Sequence, residues 1–317
     1  MAERPRILVA GAGAFGREHL RRLAAMDDVV LAGVADCRAE AARAAAERWR
    51  VRRWGVDATE LMAELRPDGV VVATPGDTHL ALARCALGLG IPVLVEKPVT
   101  MTVAQAEALA QAEAASAAFV LPGHILRFSE AHRRVAEIAQ SDAVGPLLWL
   151  GARRHRDDDH ALRYPDIDPV LMTMIHDIDL ALWITGAGVR TVRALRRPAG
   201  MQRALTTLVA EGEGGVVWQL ATAWTFPGTA PPDRLEVIGE RGSVELEVGA
   251  GIRQRGAVSR DIEAGPEDAL RAELACFAGC IRAGTRPQRV TLADARAGLA
   301  VAEAAMRSLA TGAAVRP

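Results

Sequence analysis

The feature that most constrains the fold lies at the start of the chain. Ile7-Leu8-Val9-Ala10 is a short buried-strand run, Gly11-Ala12-Gly13-Ala14-Phe15-Gly16 follows at once, and Arg17 to Ala25 continues with helical spacing. Three glycines in that context each have a task. Gly11 permits a tight turn, Gly13 lets the backbone approach a pyrophosphate, and Gly16 allows helix and strand to pack closely. The helix N-terminus then presents free N–H groups and the positive end of its dipole to phosphates. Ala14 and Phe15 complete this candidate cofactor-binding turn.

The next strand, Val29 to Ala35, ends at Asp36, twenty residues after Gly16. An acid there accepts hydrogen bonds from the adenosine ribose and repels a 2′-phosphate, which favours NAD over NADP. Arg38 keeps NADP possible, because an arginine can hold that phosphate. The competing reading makes Asp36 the N-cap of the alanine-rich segment Ala39–Trp49. The alternation continues with helices at 39–49 and 57–66, a strand Gly69–Ala73, a helix at 79–89 and a strand Pro92–Val95. Strands and helices in that rhythm specify a doubly wound parallel sheet, the Rossmann arrangement, with ligands at the carboxyl ends of the strands. Two strand ends therefore stand out, Thr74-Pro75 with His79, and Glu96-Lys97-Pro98. A lysine at such a mouth can lower the pKa of a substrate hydroxyl and stabilise the alkoxide. The alternative is a surface lysine paired with Glu96.

A chain of 317 residues suits two domains, placed at 1–121 and 122–317. Beyond residue 122, helical segments at 129–140 and 169–185 accompany strand-like stretches at 146–155, 189–197, 203–211, 215–225, 233–239 and 243–248. They predict an α+β domain with an open, largely antiparallel sheet and helices on one face, closed by helices at 266–282 and 291–310. In the 169–185 helix Asp168-Pro169 supplies an N-cap and a first-position proline, and Gly186 ends it. Met172, His176, Asp179 and Trp183 then share one face, where a histidine is by default a satisfied core residue. Arg153-Arg-His155-Arg-Asp157-Asp-Asp-His160 is the densest charge cluster; without regular ligand spacing it is expected to be a solvated loop bordering the substrate cleft, with a metal site as the alternative. His124, Arg127, Arg153, His155 and Tyr164 are the substrate-side candidates, and their basic character suits an acidic or phosphorylated sugar.

Thirty-eight basic residues nearly balance thirty-nine acidic ones, so no global field favours nucleic acid. No apolar run approaches the roughly 20 residues of a membrane span, and the N-terminus lacks a signal-peptide pattern, which predicts a cytoplasmic protein. Cys276 and Cys280, at helical spacing, are expected to be buried thiols and not a metal site or a disulfide.

GAGAFG, Ala73-Thr-Pro-Gly-Asp-Thr-His79 and Val93-Leu-Val-Glu-Lys-Pro-Val-Thr100 together resemble the Gfo/Idh/MocA family, which includes glucose–fructose oxidoreductases and inositol dehydrogenases. Gly123-His-Ile-Leu-Arg127-Phe, His176-Asp-Ile-Asp179-Leu, Val237-Ile-Gly-Glu-Arg-Gly242-Ser and Arg307-Ser-Leu-Ala-Thr-Gly312 extend the resemblance over nearly the whole chain. The resemblance implies that Lys97 contacts substrate and nicotinamide and that His176 is the general acid/base, with Asp179 following in the same helix. It implies that Gly11, Gly13, Gly16 and Asp36 bind the dinucleotide and that Thr74, Pro75 and His79 lie near ribose and nicotinamide, with Glu96 and Lys97 beside them. It further implies a homodimer or homotetramer joined through the open sheet. One departure is Met172, which occupies a position where many family members carry an acid one turn before the histidine; it joins the substrate-side candidates. The expected activity is reversible hydride transfer between nicotinamide and a hydroxyl-bearing carbon of a sugar, cyclitol or related polyol. The alternatives are a glycosidase-like enzyme that keeps NAD in a closed redox cycle and an inactive NAD-binding regulator.

Overall fold

The computed structural model describes residues 4–199, 203–263 and 265–317. In chain order the elements begin β1 (Arg6–Ala10), α1 (Ala14–Ala24), β2 (Val30–Ala35), α2 (Ala39–Trp49), β3 (Trp54–Gly55), α3 (Ala58–Leu65), β4 (Gly69–Val72), α4 (His79–Gly88), β5 (Val93–Glu96), α5 (Val103–Ala114) and β6 (Val120–Gly123). They continue α6 (Glu130–Ala139), β7 (Leu147–Arg153), β8 (Arg156–Asp157), α7 (Asp159–Arg163), α8 (Ile175–Thr185), β9 (Val189–Arg197), β10 (Leu205–Gly212), β11 (Val217–Phe226), β12 (Arg234–Gly239), β13 (Gly242–Glu247), β14 (Gly251–Gly256) and β15 (Arg260–Ile262), and end with α9 (Ala269–Ala283) and α10 (Leu292–Thr311). No helix among the described residues is long and apolar enough to cross a membrane.

Two compact units result, one of residues up to Phe128 together with Asp268–Arg296, the other of Ser129–Glu267 with Ala297–Pro317. This partition differs from the expected division at 121/122, chiefly because α9 returns to the first unit. Its apolar face explains the return: Leu270, Leu274, Phe277 and Ala278 share one buried cluster with Ile7, Val9, Leu94 and Leu121.

In the first unit six parallel strands run in the order β3-β2-β1-β4-β5-β6. Every residue of β4 and β5 is buried, as a parallel strand covered on both faces requires. The order changes direction between β1 and β4, which is the switch point where a ligand can sit beyond the strand ends.

The second unit is built on a nine-stranded mixed sheet, β15-β14-β13-β12-β7-β11-β10-β9, with β8 paired to β11 off that path. Its pairings are antiparallel except where β11 runs parallel to β7 and β8. Alternation sorts the two faces cleanly. Trp218, Leu220 and Trp224 point inward and are fully buried, whereas Leu195, Leu205, Val209, Val217 and Ile238 point outward and are 36–50% exposed. The expected helix at 169–185 is not continuous α-helix. Val170–Met174 forms a π-helical turn, and regular helix begins at Ile175. Asp168 still caps it, accepting the Val170 N–H at 2.8 Å, and Gly186 closes it with φ +61°.

Candidate active site

The glycine turn has the geometry its sequence demands. Gly11 sits at φ +102°, and a Cβ there would lie 2.4 Å from the Ala73 carbonyl oxygen. A Cβ on Gly16 would lie 2.0 Å from the Gly11 carbonyl oxygen, so neither position admits a side chain. Gly13 differs: a Cβ there meets no described atom within 4 Å. Gly13 is also the N-cap of α1, where no side chain satisfies the first N–H groups. Ala14 and Phe15 beside it are exposed. A backbone donor set facing open space at a helix N-terminus fits the pyrophosphate of a dinucleotide.

Asp36 lies at the end of β2, 9% exposed, and accepts the Ala12 N–H at 2.9 Å and the Arg38 N–H at 3.0 Å. The N-cap of α2 is Arg38, so Asp36 is not the cap of that helix. Burial by itself raises this carboxyl, yet the Arg38 guanidinium and the two N–H groups hold it below the ordinary carboxylate range. Arg38 Nε lies 3.1 Å from Asp36 Oδ1. The carboxylate is thus charged and fixed where an adenosine ribose would arrive.

The two strand ends differ from expectation in one respect. Thr74 is half-buried, with the Thr78 hydroxyl 2.7 Å from its own, and Pro75 is exposed. His79, however, is 1% exposed, with Nδ1 2.9 Å from the Pro98 carbonyl oxygen and Nε2 2.8 Å from that of Thr74. Both ring nitrogens lie within hydrogen-bonding distance of a backbone carbonyl oxygen, one from each of two strand-end loops. Glu96 is likewise turned inward, 6% exposed, with Oε1 2.7 Å from His19 Nε2 and Oε2 accepting the Lys97 N–H at 3.2 Å. Lys97 is half-buried at the mouth of β5. It is also the only lysine in the sequence, among 38 basic residues.

Two proposed substrate-side residues of the first unit are deeply buried. Arg127 is 3% exposed, donates to the Arg289 carbonyl at 3.3 Å and pairs with Asp294 at 3.3 Å, which ties it to the 289–294 segment. His124 is 3% exposed.

In the second unit, His176 and Met172 are both half-buried, one in the first turn of α8 and one in the π-helical turn before it. Asp179 is 1% exposed, deeper than Met172, His176 and Trp183. Asp177 faces the core and receives Nε and Nη2 of Arg154 at 3.1 and 3.0 Å. Burial raises Asp177 even against the pull of that guanidinium. Arg154 also donates to Asp233, which in turn accepts from Arg156 at 2.9 Å. His132, 4% exposed, is pushed down to about 3 by burial and by the nearby Arg154 charge. Arg153 is exposed at the end of β7, and Tyr164 lies with its ring 4.8 Å from that of His160. His155 is half-buried against Phe226, its pKa lowered by burial and by Arg153. Sequence reasoning missed Arg154, although Leu150, Ala152 and Arg154 continue the inward alternation of β7. Among the described residues no group of three or more His, Cys, Asp or Glu side chains could hold a metal ion.

Comparison with known proteins follows the same division. An oxidoreductase family with an NAD-binding Rossmann fold matches residues 5–124, and the GFO/IDH/MocA C-terminal domain matches residues 132–245. The chain is 32% identical to inositol 2-dehydrogenase 2 of Saccharopolyspora erythraea, over 96% of this chain and 93% of that one. It is 32% identical to UDP-N-acetylglucosamine 3-dehydrogenase of Acidithiobacillus ferrooxidans, over 94% of each. A solved structure of that enzyme matches with TM-score 0.86 at 29% identity, covering 96% of this chain and 98% of that one. An oxidoreductase from Agrobacterium radiobacter, solved with NAD+, L-tartaric acid and magnesium, shares the fold with TM-score 0.89 at 19% identity, over 99% and 98% of the two chains.

Proposed function

The chain belongs to the GFO/IDH/MocA family of oxidoreductases with an NAD-binding Rossmann fold, and from that membership we propose that it catalyses reversible hydride transfer between NAD and a hydroxyl-bearing carbon of a sugar or cyclitol. The observation that carries the cofactor half is the glycine turn, with two positions closed to any side chain and a third open at an uncapped helix N-terminus. The substrate half is supported by relatives named as dehydrogenases of inositol and of UDP-N-acetylglucosamine.

NAD, when bound, would supply the hydride acceptor. The N-terminus of α1 would hold its pyrophosphate, and Asp36 would accept from its ribose hydroxyls. Lys97 lowers the pKa of the substrate hydroxyl and stabilises the alkoxide as charge develops. His176 takes the hydroxyl proton. With Met172 where the resemblance places an acid, no carboxylate from that position orients the imidazole. The buried Arg154–Asp177 pair holds the helix that carries it.

A panel of inositols, sugars, sugar acids and UDP-N-acetylglucosamine, each with NAD and NADP, tests this by absorbance of the reduced nicotinamide. Turnover that disappears in both Lys97→Ala and His176→Ala is the expected result. Full activity in His176→Ala would remove it as the base, and tight NAD binding without turnover on any substrate would refute the dehydrogenase reading.

The open face of the second sheet is where two copies meet, as a homodimer or a pair of such dimers. Its support is the outward row Leu195, Leu205, Val209, Val217 and Ile238. Light scattering should report a dimer or tetramer for the wild type and a monomer for Val209→Glu/Ile238→Glu; a monomeric wild type rejects the interface.

A further inference from the structure

We infer that His19, Glu96 and His79 are positioning residues for Lys97. They fix the Glu96-Lys97-Pro98 turn on both sides and tie it to the helix that receives the cofactor phosphates. The inference rests on the reading of Lys97 as the group acting on the substrate hydroxyl.

Each of the three consecutive residues of the turn has a buried partner. The Lys97 N–H donates to Glu96 Oε2 at 3.2 Å, and the Pro98 carbonyl lies 2.9 Å from His79 Nδ1. The other Glu96 oxygen, Oε1, accepts from His19 Nε2 at 2.7 Å. His19 is on α1, 0% exposed, one turn beyond the glycines, with the Phe15 ring edge-on at 5.4 Å. A single carboxylate therefore joins the phosphate-binding helix to the backbone of Lys97. Room for it is built in: a Cβ on Gly123 of β6 would lie 3.0 Å from Glu96 Cα and 3.3 Å from its carboxyl carbon. On the other side, Nε2 of His79 reaches the Thr74 carbonyl at 2.8 Å, so the β4 and β5 loops are held to one ring.

This arrangement is expensive, which argues against mere core filling. Glu273 of α9 is 0% exposed, and neither carboxyl oxygen has a hydrogen-bond partner among the described residues. Burial first, and the Glu96 charge second, push its pKa well above the carboxylate range. His19 Nδ1 is buried without a hydrogen-bond partner among the described residues as well. Apolar residues of similar volume would be no less stable here. The buried histidine and the two carboxyls meet at Glu96, the residue before the lysine.

Because Lys97 is the sole lysine, its reactivity can be read without knowing the substrate. Trace labelling with acetic anhydride across pH, scored by peptide mass spectrometry, compares Lys97 with the terminal amine as internal reference. Glu96→Gln and His19→Leu should shift the Lys97 labelling profile. They should also lower kcat about 10- to 100-fold, the scale of an ångström-sized misplacement, with NAD affinity measured calorimetrically within about 3-fold of wild type. His19→Gln, which restores a donor to Glu96, should recover most of both readouts. In a Lys97→Ala background Glu96→Gln should add no further loss of kcat. Unchanged labelling and kcat in folded Glu96→Gln and His19→Leu would overturn the inference. So would losses that follow melting temperature alone, or that add fully to Lys97→Ala. Full activity of Lys97→Ala by itself would instead strike the functional reading of the lysine.

Discussion

The two units hold their candidate catalytic residues by opposite means. In the first, the cofactor turn and Lys97 sit at the ends of short buried strands, and the backbone does most of the work: a positive φ at Gly11, a forbidden Cβ at Gly16, free N–H groups at α1. In the second, His176 enters on a helix preceded by a π-helical turn, and its neighbour Asp177 is clamped by Arg154, just past β7. Backbone-built sites are local in sequence, whereas ion-pair-built sites join residues far apart. Stability and binding should accordingly separate in the first unit and coincide in the second.

The largest effect should come from breaking the clamp. Arg154→Ala leaves Asp177 and Asp233 without their shared guanidinium, and losing one partner of a buried ion pair costs about 3–5 kcal/mol. A drop in melting temperature on the order of 10 °C is expected, and Arg154→Lys should restore little because a point charge cannot bridge both carboxylates. A variant within 2–3 °C of wild type (roughly 1 kcal/mol) would reduce the network to decoration.

One buried group in each unit should also respond to pH in opposite directions. His132 is held near 3 in the fold against 6.5 when unfolded. The unfolded chain therefore binds the extra proton between those values, and stability falls as pH drops below 6.5, by up to about 1.4 kcal/mol per pH unit. Glu273 has the reverse sign. Its folded pKa lies well above the 4.5 of the free carboxyl, so its contribution is complete below 4.5 and is lost as pH rises above it. Denaturant titrations of His132→Leu and Glu273→Gln should each flatten one limb of the stability profile and spare the other. One variant flattening both limbs would contradict the assignment.

The glycines sharpen the contrast at smaller scale. Gly11→Ala forces a strained φ and a clash with Ala73, costing about 1–3 kcal/mol of stability. Gly13→Ala meets open space, so melting should barely move while NAD affinity falls about tenfold, or ~1.4 kcal/mol. Equal melting losses in the two variants would show that Gly13 serves packing instead of ligand approach.

Legibility in the sequence follows the same line. The turn from Gly11 to Gly16, the acid at Asp36 and the lysine at the end of β5 were readable because each is specified by neighbours a few residues away. The strands of the second sheet were readable for a similar reason, since alternation along β10 and β11 records which face is buried. The His19–Glu96 bond was not, because its partners are 77 residues apart and each alone looks like an ordinary helix or strand-end residue. His79 and Arg127 show a second limit: their places after strand ends were readable, but not that their polar atoms lie against carbonyls and Asp294. The π-helical turn at Val170–Met174 left no compositional trace, since one extra residue in a turn changes spacing and not residue type.

Cofactor choice gives the smallest and most discriminating effect. Arg38 is 66% exposed and rests on the carboxylate of Asp36, so it adds little to NAD binding by itself. Asp36→Ala removes the acceptor for the ribose hydroxyls and the charge that repels a 2′-phosphate, and it releases Arg38 to meet that phosphate. NAD affinity should fall about tenfold and NADP affinity should rise, so the preference narrows or inverts. Arg38→Ala should leave NAD affinity within about twofold, while Asp36→Ala/Arg38→Ala should lose the gain for NADP. Calorimetric titration of both nucleotides against the three variants decides the matter. If NADP binding rises equally with and without Arg38, the loss of negative charge at Asp36 is the whole cause, and the arginine is only its surface counter-ion.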